Sequence, residues 1–167
     1  MRVLARFLAT GTLVSVLAAP PALACGDKFI MGGSESQLER AQSVVVPAKI
    51  LIYTDPSTDP SSAMFDPELM AVLKEAGHIP SQAIGREGLE KAVAETQFDV
   101  ILADYGVAAK VRDDVRSKVP TSRVVPVLDR SSRQFLSTAK KDFGVVLNVP
   151  ASAARLLSAI DKAMTIH

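Results

Sequence analysis

FDVILADYG (residues 98–106) is an apolar run that ends in Asp104, Tyr105 and Gly106. Four consecutive apolar residues precede the aspartate, and such a run is typical of a strand that a sheet buries on both faces. A glycine soon after the run is typical of a turn. The stretch therefore predicts a buried strand that delivers the Asp104 carboxylate to a functional loop.

Strand and helix patterns alternate on both sides of this stretch. Counting it, apolar strand patterns fall at residues 50–53, 78–84, 98–103, 123–128 and 144–147. Helix patterns fall at residues 67–76, 87–95, 107–118, 132–142 and 151–164. Helical crossovers this short require parallel, right-handed connections. The sequence therefore predicts one α/β domain over residues 48–167, with a doubly wound five-stranded parallel sheet in the flavodoxin-like order 2-1-3-4-5.

The first 24 residues have the features of an export signal. Arg2 and Arg6 precede an apolar run at residues 7–19, and a small-residue cleavage site follows at residues 22–24. The run is shorter than the roughly 20 residues that span a bilayer, and a proline pair ends it. The sequence predicts that residues 1–24 are removed and that the protein is exported to the periplasmic side of the cell envelope.

The only cysteine of the chain, Cys25, comes directly after this signal. A single cysteine cannot form an internal disulfide, so an exported chain leaves it free, pairs it with another molecule or modifies it. The preceding residues resemble the lipobox of bacterial lipoproteins, although Ala22 stands where that family usually has leucine and Leu23 is one place late. The resemblance implies a lipid anchor at Cys25. Ordinary cleavage after Ala24, giving a soluble periplasmic protein, is the alternative.

Residues 25–47 connect the signal to the α/β domain. Glycines at positions 32 and 33 interrupt this segment, and residues 36–39 have the spacing of a capping box. The segment is too short for a domain, so the sequence predicts a tether with one short helix.

Charge limits the classes of partner. The chain has 19 basic and 18 acidic side chains. The signal holds two of the arginines and no acid, so its removal leaves 17 basic side chains against 18 acidic ones, a net charge of −1. A nucleic-acid-binding domain would carry a basic surface, and no dense basic run follows the signal to bind anionic lipid. Proteins and small molecules remain as partners.

Parallel sheets of this kind bind ligands beyond the carboxyl ends of their strands, where the strand order reverses. Candidate binding residues at these ends are Tyr53, Thr54, Asp55, Asp104, Asp129, Ser131 and Asn148. The sequence has no zinc-like ligand spacing and no phosphate-loop motif, and its serines lack a recognisable histidine partner. We therefore predict no enzyme activity, no metal and no cofactor, and we expect His78 and His167 to be solvated.

Five segments together resemble the receiver domains of two-component response regulators. They are KILIYTDP, LMAVLKEAGH, FDVILADYG, VVPVLDRSS and VLNVPASAARLLSAID, and the likeness covers about residues 48–165. The resemblance implies that Asp104 stands at the position of the phosphoacceptor aspartate and Ser131 at that of the switch hydroxyl.

Two chemical parts of a receiver are missing. Receivers hold Mg²⁺ with an acidic pair at the end of the first strand, where this chain has Tyr53 and Thr54 with only Asp55 nearby. Receivers also place a lysine before the last proline, where this chain has Val149, which carries no charge. The resemblance therefore implies a pseudo-receiver that is not phosphorylated.

The polar side chains at the strand ends have two interpretations each. Asp104 either binds a ligand or partner or caps the following helix, and the cap is favoured. Ser131 also lies just ahead of a helix, so a cap is favoured there too. Tyr53 either fills the space of the missing metal or contacts a ligand.

Three functions follow from these expectations. The first is a non-catalytic exported module that binds a cell-envelope protein, through the face that receivers commonly use, here residues 132–142 and 151–164. The second is a periplasmic small-molecule-binding domain whose crevice is covered by residues 55–62. The third is a true phosphoryl-accepting receiver. An open apolar pocket near Tyr53 and Asp104 would favour a small ligand, whereas a filled crevice would favour protein docking.

Overall fold

A five-stranded parallel sheet forms the centre of the computed structural model, which describes residues 29–30, 46–57, 62, 64 and 66–165. The strands are β1 (Phe29–Ile30), β2 (Lys49–Thr54), β3 (Ile79–Ile84), β4 (Val100–Asp104), β5 (Arg123–Leu128), β6 (Leu147–Asn148) and β7 (Ala151–Ser152). The central sheet has the order β3-β2-β4-β5-β6, and all of its pairings are parallel. When these five strands are numbered among themselves the order is 2-1-3-4-5, so the predicted fold class is confirmed.

The described residues form five α-helices, of which the first four lie between strands and the last follows β7. They are α1 (Pro67–Glu75), α2 (Gly85–Glu95), α3 (Tyr105–Arg116), α4 (Leu136–Phe143) and α5 (Ala153–Thr165). Helix α1 shows why the local sequence folds as it does: the Asp66 side chain accepts a hydrogen bond from the Glu68 amide at 3.0 Å, and a proline occupies the first helical position. Among the described residues, no helix is long and apolar enough to cross a membrane.

The sheet is buried on both faces, and alternate residues of β2 show this directly. Ile50 and Ile52 belong to one apolar cluster, and Leu51 and Tyr53 belong to another. Helices α1 and α5 cover the first face, with core residues such as Leu69, Leu73, Leu156 and Ile160. Helices α2 and α3 cover the second, with Leu89, Val93, Val111 and Val115. Burial on both faces explains the continuous apolar runs of the strands.

Several predicted boundaries are wrong. Helix α3 begins at Tyr105, directly after β4, so Gly106 lies in a helix and no loop follows Asp104. A 3₁₀ turn at Arg133–Phe135 precedes α4, which therefore starts later than residue 132. Gly144, at φ +74°, ends α4, and the Val145 amide bonds the Phe143 carbonyl, so residues 144–146 form a turn and not the start of the last central strand.

The segment predicted as a tether contributes one described element. Strand β1 pairs in parallel with β7, which occupies the two positions where the last helix was expected to begin. Local patterns do not reveal this pairing because its partners are more than a hundred residues apart. The predicted signal, Cys25 and the capping-box helix at residues 36–39 lie outside the described residues.

Gly77 ends α1 in the left-handed backbone region, at φ +83°. We expect Gly77→Ala to lower the free energy of unfolding by about 1 kcal/mol, because a Cβ is unfavourable in this region. The added methyl group would meet no atom within 4 Å, so only the backbone effect is measured. Gly106→Ala is the matched control, since its Cβ also meets nothing within 4 Å but the residue is helical. Urea unfolding should show the control unchanged or stabilised by up to about 1 kcal/mol, and equal losses in both variants would contradict the prediction.

Candidate functional site

Asp104 is the last residue of β4 and lies at the carboxyl edge of the sheet, half-buried. Its Oδ1 atom accepts a hydrogen bond from the Ser62 hydroxyl at 2.8 Å. The Ser62 oxygen in turn accepts a hydrogen bond from the Met64 amide at 3.2 Å. Asp104 stands at the N-cap position of α3, but its side chain makes no capping hydrogen bond. The favoured interpretation of Asp104 as a helix cap is therefore wrong, and the carboxylate instead binds the segment between β2 and α1.

Tyr53 and Thr54 end β2 beside Asp104. Tyr53 is only 4% exposed and packs in the apolar cluster under α2 and α3, while its hydroxyl donates to Asp55 Oδ2 at 3.2 Å. Burial, followed by the charge of Asp55, raises the pKa of Tyr53 to about 12. Thr54 is fully buried, and its hydroxyl has no hydrogen-bond partner among the described residues. Neither side chain offers an anionic oxygen to a metal ion at neutral pH.

Asp55 is engaged in the turn that follows β2. Its Oδ1 accepts from the Ser57 amide at 2.9 Å and from the Ser57 hydroxyl. These hydrogen bonds hold the pKa of the Asp55 carboxyl below its usual range. The carboxylate thus stabilises a local turn, as aspartates commonly do.

Asp129 and Ser131 form a similar turn after β5. Asp129 Oδ1 accepts from the Ser131 hydroxyl at 2.8 Å and from the amide and hydroxyl of Ser132 at 2.8 and 2.7 Å. The Ser132 hydroxyl is the largest cause of a lowered pKa at Asp129. Helix α4 has Phe135 at its N-cap position, so the prediction that Ser131 caps this helix is wrong.

Asn148 and Val149 occupy the end of β6. Val149 is buried, its amide donates to the Leu128 carbonyl at 2.8 Å, and its carbonyl accepts from Arg133 at 3.4 Å. The peptide bond between Val149 and Pro150 is cis. Asn148 is half-buried, and its Oδ1 atom is buried with no hydrogen-bond partner among the described residues. The position where receivers hold a lysine is therefore apolar and packed.

Sequence reasoning missed two features next to Asp104. One is the Ser62 hydroxyl, which lies 42 positions away in the chain. The other is a stacked aromatic pair, in which the ring centroids of Tyr105 and Phe135 are 5.5 Å apart at 21°. The only local signal for this pair is that each aromatic residue follows shortly after the end of a strand.

His78 is buried, so the expectation that it is solvated is wrong. It is 4% exposed and lies just before β3, at the amino edge of the sheet. Its Nδ1 atom accepts a hydrogen bond from the Ala48 amide at 3.2 Å. Burial lowers the pKa of His78, and the charge of Asp161 opposes that shift. His167 lies outside the described residues.

Two cavities in the described part of the chain lie away from Tyr53 and Asp104. One, of about 460 Å³, is lined by residues of α4, β6 and α5. The other, of about 330 Å³, is lined by residues near the end of α3 and the start of β5, together with the end of α4. The described residues contain no group of three or more His, Cys, Asp or Glu side chains placed to hold a metal ion. At the carboxyl edge, Tyr53 and Thr54 are buried and the Ser62 hydroxyl donates a hydrogen bond to Asp104.

Comparisons with known proteins assign the chain to no family. No protein-family model matches it, and a search of curated proteins finds no significant relative. The resemblance to receiver domains therefore stays a prediction from the sequence, beside a fold that the structure shows.

Proposed function

We propose that the protein is a non-catalytic, receiver-like binding module that is exported to the periplasmic side of the cell envelope and docks an envelope protein. The observation that carries this proposal is the set of contacts at the carboxyl edge of the sheet. Asp104 binds Ser62, and the two positions at which receivers hold Mg²⁺ are a buried tyrosine and a buried threonine. These contacts favour a surface that binds through its helices over a crevice that binds a small solute.

The charges around Asp104 argue against phosphoryl transfer. A phosphoryl group adds about −1.5 to −2 charge, which receivers offset with Mg²⁺ and a lysine. In this protein Val149 is buried and apolar. Asp55 and Asp129 are both engaged by serine hydroxyls, which stabilise their ionised forms. A phosphoryl group at Asp104 would therefore meet further negative charge in place of the cations.

We expect no acylphosphate to form at Asp104. Purified protein would be incubated with Mg²⁺ and acetyl phosphate, or with beryllium fluoride, and followed by intact-protein mass and by NMR of the Asp104 amide. A response-regulator receiver that accepts phosphate from acetyl phosphate serves as the positive control. A stable mass increase that is lost in Asp104→Asn would contradict the proposal and favour a true receiver.

The proposed docking surface is the face formed by α4, β6 and α5. A photoreactive residue at Ser158, which is exposed on α5, should capture an envelope protein in intact cells. The same residue at Lys91, which is exposed on α2 under the other face of the sheet, is the matched control and should capture little. Capture from Lys91 alone, or from neither position, would contradict docking through this face.

The proposed anchor is a lipid on Cys25. We expect the wild-type protein to fractionate with membranes, because lipoproteins carry more than one acyl chain and a single chain binds only marginally. Cys25→Ser should release the protein or leave it unprocessed. Since Cys25 is the only cysteine, thiol labelling of the mature protein reports directly on its modification. A soluble wild-type protein with a labelled Cys25 would contradict the anchor and leave ordinary cleavage as the explanation.

A further inference from the structure

The larger cavity lies beside β6, the last strand of the central sheet. Leu147 and Asn148 pair with Val127 and Leu128 of β5, and no other described strand pairs with β6. The cavity, of about 460 Å³, is lined by the continuous segment 144–148 and by α4 and α5 on either side. A strand at the edge of a sheet is a template for an added extended segment.

Every charged residue that lines this cavity is basic. Lys140 of α4 and Arg155 and Lys162 of α5 line it, all three are exposed, and no acidic side chain is among its lining residues. The two ion pairs in the described part of the chain, Arg86–Glu90 and Arg112–Asp113, involve none of these three cations. The smaller cavity differs, because Asp142 lines it together with arginines. A basic cavity on a protein whose mature chain is close to neutral favours an anionic occupant.

The lining favours a peptide over a small anion. Segment 144–148 lines one side of the cavity, as a turn at residues 144–146 followed by the two residues of edge strand β6, with which an extended segment can pair. Apolar residues also contribute to the lining, including Val145, Val146 and Leu147. An occupant with alternating acidic and apolar side chains would place its charges and its apolar groups on matching surfaces.

We infer that the docking face binds an acidic, extended segment of a partner protein in the cavity between α4 and α5, with its carboxylates paired to Lys140, Arg155 and Lys162. This inference rests on the proposed docking function and names the chemistry of the partner. The segment lies beside β6.

The direct test is an NMR titration of the ¹⁵N-labelled protein with an eight-residue peptide of alternating Glu and Val. We expect the amides of residues 146–148 to shift, and we expect the Gln-Val and Lys-Val peptides of the same length to bind at least about tenfold more weakly. Shifts confined to other parts of the protein, or equal binding of the Gln-Val peptide, would overturn the inference.

The matched variants separate local charge from overall charge. Lys140→Glu, Arg155→Glu and Lys162→Glu together should weaken binding of the Glu-Val peptide at least about tenfold. Reversal of three other exposed lysines, at positions 74, 91 and 118, changes the net charge by the same amount and should change affinity less than about threefold. Equal weakening by both sets would show bulk attraction only and would overturn the inference. Circular dichroism and urea unfolding establish that both variants are folded.

Crosslinking from Ser158 in cells distinguishes this inference from the docking proposal. Capture that the first set of reversals abolishes, through a partner segment rich in Asp and Glu, supports both. Capture that survives those reversals, or that maps to a segment without acidic residues, overturns the inference and leaves the docking proposal standing. Absence of capture overturns the docking proposal itself. The peptide titration then tests separately whether the cavity binds an acidic peptide.

Discussion

Thr54→Asp is expected to lower the free energy of unfolding by about 3 kcal/mol or more, which is the range for a buried charge without a compensating partner. Thr54 is fully buried at the end of β2, and its hydroxyl has no hydrogen-bond partner among the described residues. A carboxylate there would also add to the negative charge of Asp55, the next residue in the chain, and of Asp104, which ends the neighbouring strand β4. Urea unfolding at pH 7 measures the loss.

Thr54→Val is the control, because valine has nearly the same shape and lacks the hydroxyl. We expect it to be neutral or to stabilise the protein by up to about 1 kcal/mol, since it removes a buried hydroxyl that has no hydrogen-bond partner in the described part of the chain. Both variants would be measured with and without Mg²⁺. A Thr54→Asp protein that is as stable as the wild type, or that Mg²⁺ stabilises strongly, would show that the crevice can still form a receiver's metal site and would contradict the pseudo-receiver proposal.

The sheet could be predicted from the sequence because a strand that is buried on both faces is a continuous run of apolar residues. Val100, Ile101, Leu102 and Ala103 are all buried, and alternate members of this run face opposite apolar clusters. The parallel order then follows from the short helical crossovers. Strand and helix ends were less predictable, because a turn such as that at Gly144 depends on individual backbone hydrogen bonds.

The site could be located from the sequence, but its contacts could not. Strand ends identify Tyr53, Asp104 and Asp129 as neighbours of the carboxyl edge. The cap prediction for Asp104 used only the helix that follows, whereas the observed partner is Ser62, from a distant part of the chain. His78 followed a helix-ending glycine and looked like a loop residue for the same reason. Tertiary packing buries it, and no local pattern records that packing.

His78 gives the second large expected effect, an acid-induced loss of stability. Burial lowers the pKa of the folded-state imidazole below its ordinary value of 6.5. In the unfolded chain His78 binds a proton below about pH 6.5, while the folded protein keeps it neutral to a lower pH. The stabilisation is therefore fully present above pH 6.5 and is lost as pH falls through the folded-state pKa. Between the folded-state and unfolded-state pKa values, the free energy of unfolding falls by up to about 1.4 kcal/mol for each pH unit, which corresponds to the uptake of one proton.

The hydrogen bond at His78 gives this effect a structural basis. The Nδ1 atom accepts a hydrogen bond from the Ala48 amide, just before β2 begins. A proton on Nδ1 would break this hydrogen bond, because two N–H donors would then face each other. The charge of Asp161 favours the protonated form and limits the shift. The pKa values of Asp55 and Asp129 are lowered, so the stability that these carboxylates contribute is lost only when the pH falls below their ordinary pKa of 3.8. A loss of stability near pH 6 is therefore assigned to His78.

His78→Gln is the variant that tests the origin of the pH dependence, because a glutamine oxygen can accept the Ala48 hydrogen bond and does not titrate. Urea unfolding between pH 5 and 8 would be compared with the wild type. We expect the wild-type free energy of unfolding to fall towards pH 5 and the slope of the variant to be smaller by up to one proton. Identical slopes in the two proteins would assign the acid sensitivity to other groups. A wild-type protein that gains stability as the pH falls would mean that His78 is charged in the fold, with Asp161 and not burial dominating its environment.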